Sequence, residues 1–190
     1  MAPKPWTELR VACLIHRETQ SLAVLSIPRF TPSRWFECDV MIVTRAGLWH
    51  EFEIKLSFAD FRADRKKKLK HAILSGRTSR LAGHEGPNRF WYVVPEEISA
   101  AVWAELPAWS GLAIVKRYGN GHGWLHRVVR APRLHAVPAT ARMIDQANRA
   151  MPWRMWNALT RLADGDGPWL WTSPDEEEGD TDALPPVLNA

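Results

Sequence analysis

The sequence predicts an α/β domain, a mixed β-sheet flanked by helices, with a helical extension at its C-terminal side. Three observations predict it. Between Phe36 and Lys55, polar and apolar residues alternate with period two across a short turn, which marks an antiparallel hairpin. Residues 6–18 and 57–75 carry apolar residues at helical spacing. The run from Arg89 to Val94 is almost wholly apolar, as in a strand covered on both faces. With a strand at 22–27, the order reads α-β-β-β-α-β.

Each element has a local cause. Thr7 is placed to cap the first helix, Glu8 lies in its first turn, and Leu9, Ala12, Cys13 and Ile15 form its apolar stripe. Residues 22–27 can be strand by composition. Strands at 36–44 and 48–55 flank Arg45-Ala-Gly47, in which Gly47 supplies a left-handed position. Ser57, with Asp60 three residues on, caps a helix running to about Ser75, and Phe58, Phe61, Leu69, Ala72 and Ile73 form its apolar side. Residues 76–88 read as a polar loop. Pro95-Glu-Glu opens a helix to about Leu106. Strands at 111–117 and 124–131 follow, joined by a glycine-rich turn, and then a helix or helix pair at 139–163, interrupted near Pro152. The organisation expected is one domain over residues 1–172 and an acidic, disordered tail over 173–190.

The hairpin carries the chemistry. A three-residue turn pairs Thr44 with Leu48, which sets Asp39 opposite Glu53 and Glu37 opposite Lys55. Alternation puts Phe36, Cys38, Val40 and Ile42 on one face of the first strand, with Glu37 and Asp39 on the other. On the second strand Glu51, Glu53 and Lys55 share a face, and His50 lies with the apolar set. Two carboxylates that close do not both ionise cheaply without a cation between them, and Mg²⁺ or Mn²⁺ suits oxygen ligands. A lysine beside them can stabilise charge developing on a phosphate. The competing reading is an exposed strand face with Glu–Lys pairs.

Composition narrows the rest. The net charge of +4 conceals an asymmetry: residues 173–190 hold six acids and no Lys or Arg, so residues 1–172 carry +10. A basic globular part points to a polyanionic partner. Arg62, Arg65, Lys66, Lys67, Lys68 and Lys70 fall within nine residues, Arg62, Lys66 and Lys70 share one face of a continuous helix, and Arg77 and Arg80 follow. This makes Arg62, Lys66, Lys67, Lys70, Arg77 and Arg80 the candidate nucleic-acid contacts. Asp60 and Asp64 read as cap and ion-pair residues with Lys67 and His71. No segment reaches the length of a membrane span, and the N-terminus lacks a secretory signal, which leads to a cytoplasmic expectation. Cys13 and Cys38 lie in apolar runs and read as buried free thiols. Most of the eleven Trp should pack in the core, whereas Trp169 and Trp171 lie beside the tail.

Asp39, then Glu53-Ile-Lys55 on the next strand, then a helix, resembles the PD-(D/E)xK nuclease superfamily. The joined run from Glu37 to Pro95, with Gly111-Leu-Ala-Ile-Val115 and Arg127-Val-Val-Arg130 beyond it, is similar to the MmcB-like DNA repair proteins and their phage-borne relatives. Cys38 stands where the superfamily's nominal proline would precede the aspartate. The resemblance implies a restriction-endonuclease-like core. It also implies a Mg²⁺- or Mn²⁺-dependent endonuclease acting on double-stranded or structured DNA in repair, recombination or phage DNA processing, in a bacterial or phage-infected cell. Asp39 and Glu53 would hold the metal, with the carbonyl of Ile54 as a further ligand, and Lys55 would be catalytic. A first-helix acid, here Glu8, would complete the site, and Glu37 and Glu51 are further candidates. A homodimer is compatible with this class. The alternative is a DNA-binding or scaffolding module on the same fold that does not cut.

Overall fold

The computed structural model describes residues 5–78, 86–117 and 123–163. The chain runs α1 (Glu8–Thr19), β1 (Ala23–Phe30), β2 (Cys38–Thr44), β3 (Trp49–Ile54) and α2 (Phe58–Ala63). A 3₁₀ turn (Asp64–Lys66), α3 (Lys68–Leu74), β4 (Arg89–Pro95), α4 (Glu96–Ala104), β5 (Ser110–Arg117), β6 (Gly123–Val129) and α5 (Ala141–Ala163) follow. The six strands form one sheet in sequence order. β1, β2 and β3 are antiparallel, β3–β4 and β4–β5 are parallel, and β6 returns antiparallel to β5. Each parallel step is bridged by helix, as parallel neighbours require. The fold is therefore α/β with a mixed sheet flanked by helices.

The local signals that start elements act as read. Thr7 Oγ1 accepts from the Arg10 N–H at 3.3 Å, and Ser57 Oγ accepts from the Asp60 N–H at 3.1 Å. Gly47 has φ +72°, and Thr44 N–H donates to the Leu48 carbonyl at 2.9 Å. The register is thereby set: Val40 faces Phe52, Met41 faces Glu51, Ile42 faces His50 and Val43 faces Trp49. The ladder ends at Val40–Phe52, and beyond it the Asp39 side chain turns to the Ile54 N–H.

The sheet has two apolar faces. On one, Val11, Leu14 and Ile15 of α1 pack on Val40, Ile42, Phe52, Ile54, Trp91, Val93, Ala113 and Val115. On the other, Phe61, Ile73, Leu74, Val102, Met143 and Ala147 cover Met41, Val43, Trp49, Phe90, Tyr92, Val94, Leu112 and Ile114.

Several expectations are corrected. The helix expected over 57–75 is broken at Lys67 (φ −73°, ψ 57°), so Arg62, Lys66 and Lys70 do not share one helical face. The run of bases from Arg65 to Lys68 gives a helix little support, and the break lets Lys67 reach the sheet. β2 starts at Cys38, so Glu37 lies outside the ladder with its side chain exposed. Strict alternation also fails there: Phe36 and Cys38 pack with Met41 and Val43, opposite Val40 and Ile42. The neighbouring strand explains this, because Arg29 of β1 takes φ +45° between the pairs Pro28–Val40 and Phe30–Cys38. β1 runs three residues beyond the expected 27, and α5 continues through Pro152 instead of stopping there. Cys13 is exposed, whereas Cys38 is buried, and both are free. Trp103, Trp153 and Trp156 are exposed, whereas Trp35, Trp49 and Trp91 are buried in the core. The acidic tail, Trp169, Trp171, Arg80 and His84 lie outside the described residues. Among those described, no helix is long and apolar enough to cross a membrane.

Candidate functional site

Burial selects the site. Glu51, Glu53, Lys55, Asp64 and Lys70 are all less than a tenth exposed, which is unusual for charged side chains unless they are paired. β3 presents Glu51 and Glu53 to the face covered by α2 and α3. The helix break then brings Asp64, Lys67, Lys70 and His71 over them.

Glu53 is the hub. Its Oε1 meets Lys67 Nζ at 2.6 Å and Lys55 Nζ at 3.0 Å, and its Oε2 meets Lys70 Nζ at 3.0 Å. Lys70 also reaches Glu51 Oε1 at 2.7 Å and donates to the Glu37 backbone carbonyl at 3.4 Å. The other oxygen of Glu51 accepts from the Trp35 indole N–H at 2.8 Å. Asp64 Oδ1 faces Lys67 at 3.0 Å and Lys55 at 3.3 Å, and its Oδ2 bonds His71 Nε2 at 2.9 Å and the Tyr92 hydroxyl at 2.7 Å. Asp60 Oδ1 lies 3.5 Å from Lys55 Nζ, so Lys55 is held by three carboxylates.

Asp39 differs from these. One oxygen accepts the Ile54 N–H at 2.6 Å, which ties it to the end of β3. It lines a recess of about 20 Å³ with Glu8, Ala12, Arg29 and Ile54. Glu8 is steered there by Arg29 at 3.6 Å.

Electrostatics separates the two central carboxylates. Burial would raise Glu53, but Lys70, Lys67 and Lys55 outweigh it and hold the group at about 2. Asp39 is pushed up to about 8, by burial and then by the Glu53 charge, against the lowering effects of Ile54 N–H and Lys55. Burial opposes the ionised form of Asp64 too, yet His71, Lys67, Lys55 and Tyr92 hold it well below the usual range. Glu51 is raised by burial despite Lys70. Burial disfavours the Lys55 and Lys70 ammoniums, but their acid partners more than offset this and raise both.

The structure thus brings together Asp39, Glu53, Lys55 and Ile54, with Glu8 beside Asp39 and Glu51 one position behind Glu53. It does not bring in the Glu37 carboxylate. The nucleic-acid candidates divide. Lys70 is buried, and Lys67 is turned to Glu53 with about a third of its side chain exposed. Arg62 and Arg65 share the single carboxylate of Glu105, each at 2.5 Å. Lys66 and Arg77 are exposed. Sequence reasoning missed Trp35 and Tyr92. Tyr92 pairs with Glu53 in the β3–β4 register, a relation that periodicity along one strand does not reveal.

Asp39 and Glu53 offer oxygen donors suited to a hard cation, and the raised Asp39 is a carboxylate lacking positive charge. Among the described residues, no group of three or more His, Cys, Asp or Glu is arranged to hold a metal ion. A two-carboxylate set still fits Mg²⁺ or Mn²⁺, which retain waters and bind through one or two carboxylates with substrate phosphates. The cation would compete with Lys67 for Glu53 Oε1. Lys67 can yield, because its side chain is 33% exposed and it sits at the helix break.

No family model matches the chain, and no curated protein matches it. The chain is similar to a solved structure from Silicibacter pomeroyi, a protein of unknown function, at 25% identity and TM-score 0.57, over 90% of this chain and 98% of that one.

Proposed function

We propose that the chain is a metal-dependent endonuclease that hydrolyses DNA phosphodiester bonds on a restriction-endonuclease-like core. One observation carries the reading: the Glu53 charge acts on Asp39 and helps to raise it, the Lys55 ammonium lies 3.0 Å from Glu53, and Asp39 forms no ion pair among the described residues. Asp39 and Glu53 would hold Mg²⁺ or Mn²⁺, with Glu8 within reach of the same recess and the Ile54 carbonyl at the strand end. A divalent ion bound there supplies an activated water and neutralises phosphate charge.

The chain's own residues do the rest. Glu53, held ionised by three lysines, binds at every working pH. Lys55, pinned by Asp60 and Asp64, keeps its ammonium fixed where charge develops on the phosphate, so little reorganisation is needed at the moment of reaction. Asp64 is in turn fixed by His71 and Tyr92, which makes these two positioning residues. Lys67, which shares Glu53 Oε1 and Asp64 Oδ1, would serve as a second ammonium for the substrate if a cation took its place on Glu53.

A second reading has its own observation. Both Glu53 oxygens already carry lysines, as in a site locked by internal ion pairs, and the fold would then serve as a non-catalytic DNA-binding scaffold. Supercoiled plasmid separates the two. Nicking with Mn²⁺ that EDTA stops and that Lys55→Ala lacks supports the enzyme. Intact plasmid with wild-type protein and Mn²⁺ supports the scaffold.

A further inference from the structure

A cluster of positive charge without an acid partner among the described residues lies on the other face of the sheet. Among the described elements α1 is the only helix on that face. Beside it runs a groove of about 400 Å³ lined by Ile42, His50, Arg89, Trp91, Arg127 and Arg130. Ile42, His50 and Arg89 are register partners across β2, β3 and β4, so their side chains stand in one row. On β5 the register partners of Trp91 and Val93 are the small Gly111 and Ala113. A Cβ on Gly111 would lie 2.6 Å from the Trp91 ring and from the Ala131 nitrogen, so glycine is what lets that indole lie flat on the sheet. Ala113 partners Arg127, whose guanidinium reaches over the Trp91 ring at 5.7 Å.

In the basic helix region most of the charge is paired, although Lys66, Lys68 and Arg77 stay exposed. Arg62 and Arg65 share Glu105, and Lys55, Lys67 and Lys70 are matched by Glu51, Glu53 and Asp64. Among the described residues, no carboxylate lies within ion-pair distance of Arg89, Arg127 or Arg130. Arg89 donates to the Ala131 carbonyl, which orients it without neutralising it. His50 is held neutral, at about 4, by burial and then by Arg89 and Arg127. Trp91 is buried and its indole N–H has no acceptor among the described residues. Guanidiniums present planar pairs of donors that match phosphate oxygens, and they bind best where no acid competes.

We infer that this groove is a second nucleic-acid contact, which takes the phosphodiester backbone of a DNA strand on the sheet face opposite Glu51 and Glu53. The inference rests on the nuclease reading only for the identity of the polyanion, and binding can be read without cleavage.

The test uses the full chain in EDTA with a short fluorescein-labelled DNA duplex and the matching single strand. Arg127→Glu combined with Arg130→Glu removes two exposed charges and should leave the melting temperature near wild type. Affinity for labelled DNA should fall at least about tenfold, and the slope of log K against log salt should flatten by about two. Arg149→Glu, a charge reversal on α5, should remain near wild type. A deoxynucleoside monophosphate should compete only at concentrations about a hundredfold higher or more, because it offers one phosphate where a strand offers several. Wild-type affinity and slope in the double variant would overturn the inference. So would a wild-type protein that binds no DNA, or a mononucleotide that competes as well as the strand, which would mark a small-phosphate site. Intact plasmid in Mn²⁺ together with DNA binding lost in the double variant would remove the nuclease reading and leave the groove standing.

Discussion

Asp39→Asn should stabilise the metal-free protein, and by an amount that depends on pH. The Asp39 carboxyl titrates near 8 in the fold, against 3.8 as its ordinary value. Each unit of such a shift corresponds to about 1.4 kcal/mol, so the ceiling is roughly 5–6 kcal/mol. The effect is shared with Glu53, and asparagine keeps an acceptor for the Ile54 N–H. About 2 kcal/mol is therefore the reasonable expectation, or a rise in Tm of about 4–8 °C for a chain of this size. The sign follows from proton linkage. Between about pH 4 and pH 8 the folded state holds a proton that the unfolded state has lost, so wild-type stability falls as pH rises through that window. The advantage of the variant should be small near pH 4, grow up to about pH 8 and then level off. Mn²⁺ should reverse the order, because a ligand at about a hundred times its Kd adds about 2.7 kcal/mol to the wild type and little to the variant. Thermal melts of both proteins across pH, with and without Mn²⁺, read all of this. A variant less stable than wild type at high pH in EDTA, or one that gains as much from Mn²⁺, would show that Asp39 and Glu53 do not share a charge problem.

Other expectations follow from the same network. Lys55→Ala should keep or increase the Mn²⁺-dependent rise in Tm, since it removes an ammonium beside the cation, while losing cleavage by about two orders of magnitude or more. Lys70→Met leaves Glu51 and Glu53 buried without their shared cation and should cost about 3–5 kcal/mol in urea unfolding at neutral pH. That deficit should shrink as pH falls and Glu51, raised by burial, takes up a proton. Tyr92→Phe removes one hydrogen bond to Asp64 and should cost about 2 kcal/mol, with cleavage reduced only as far as Lys55 loses its orientation.

Much of the hairpin was legible because its causes are local. Gly47 fixes the turn, the turn fixes the register, and the register pairs Val40 with Phe52 and Met41 with Glu51. Thr7 and Ser57 announced their helices for the same reason. The basic run was misleading, because charge density along a segment does not tell which lysines find acids. Lys70 is buried by Glu51 and Glu53, and those partners come from a strand that precedes it by nearly twenty residues. The Trp35 bond to Glu51 crosses from a loop, and the Tyr92 bond to Asp64 crosses from β4, so neither leaves a mark in periodicity. The arginine groove gathers positions 42, 50, 89 and 127, which become neighbours only once the strand order is known. Asp39 is an intermediate case: its place at the end of the hairpin was readable, but the left-handed Arg29 beside it, where the alternation breaks, was not.

A crystal structure of the full chain grown with Mn²⁺ tests the central claim most directly. The account predicts an anomalous peak within about 2.0–2.3 Å of carboxylate oxygens of both Asp39 and Glu53. It also predicts Lys67 displaced from Glu53, with Lys55 still held by Asp64. No peak between Asp39 and Glu53 at saturating Mn²⁺, with Lys67 and Lys70 both still on Glu53, would contradict it.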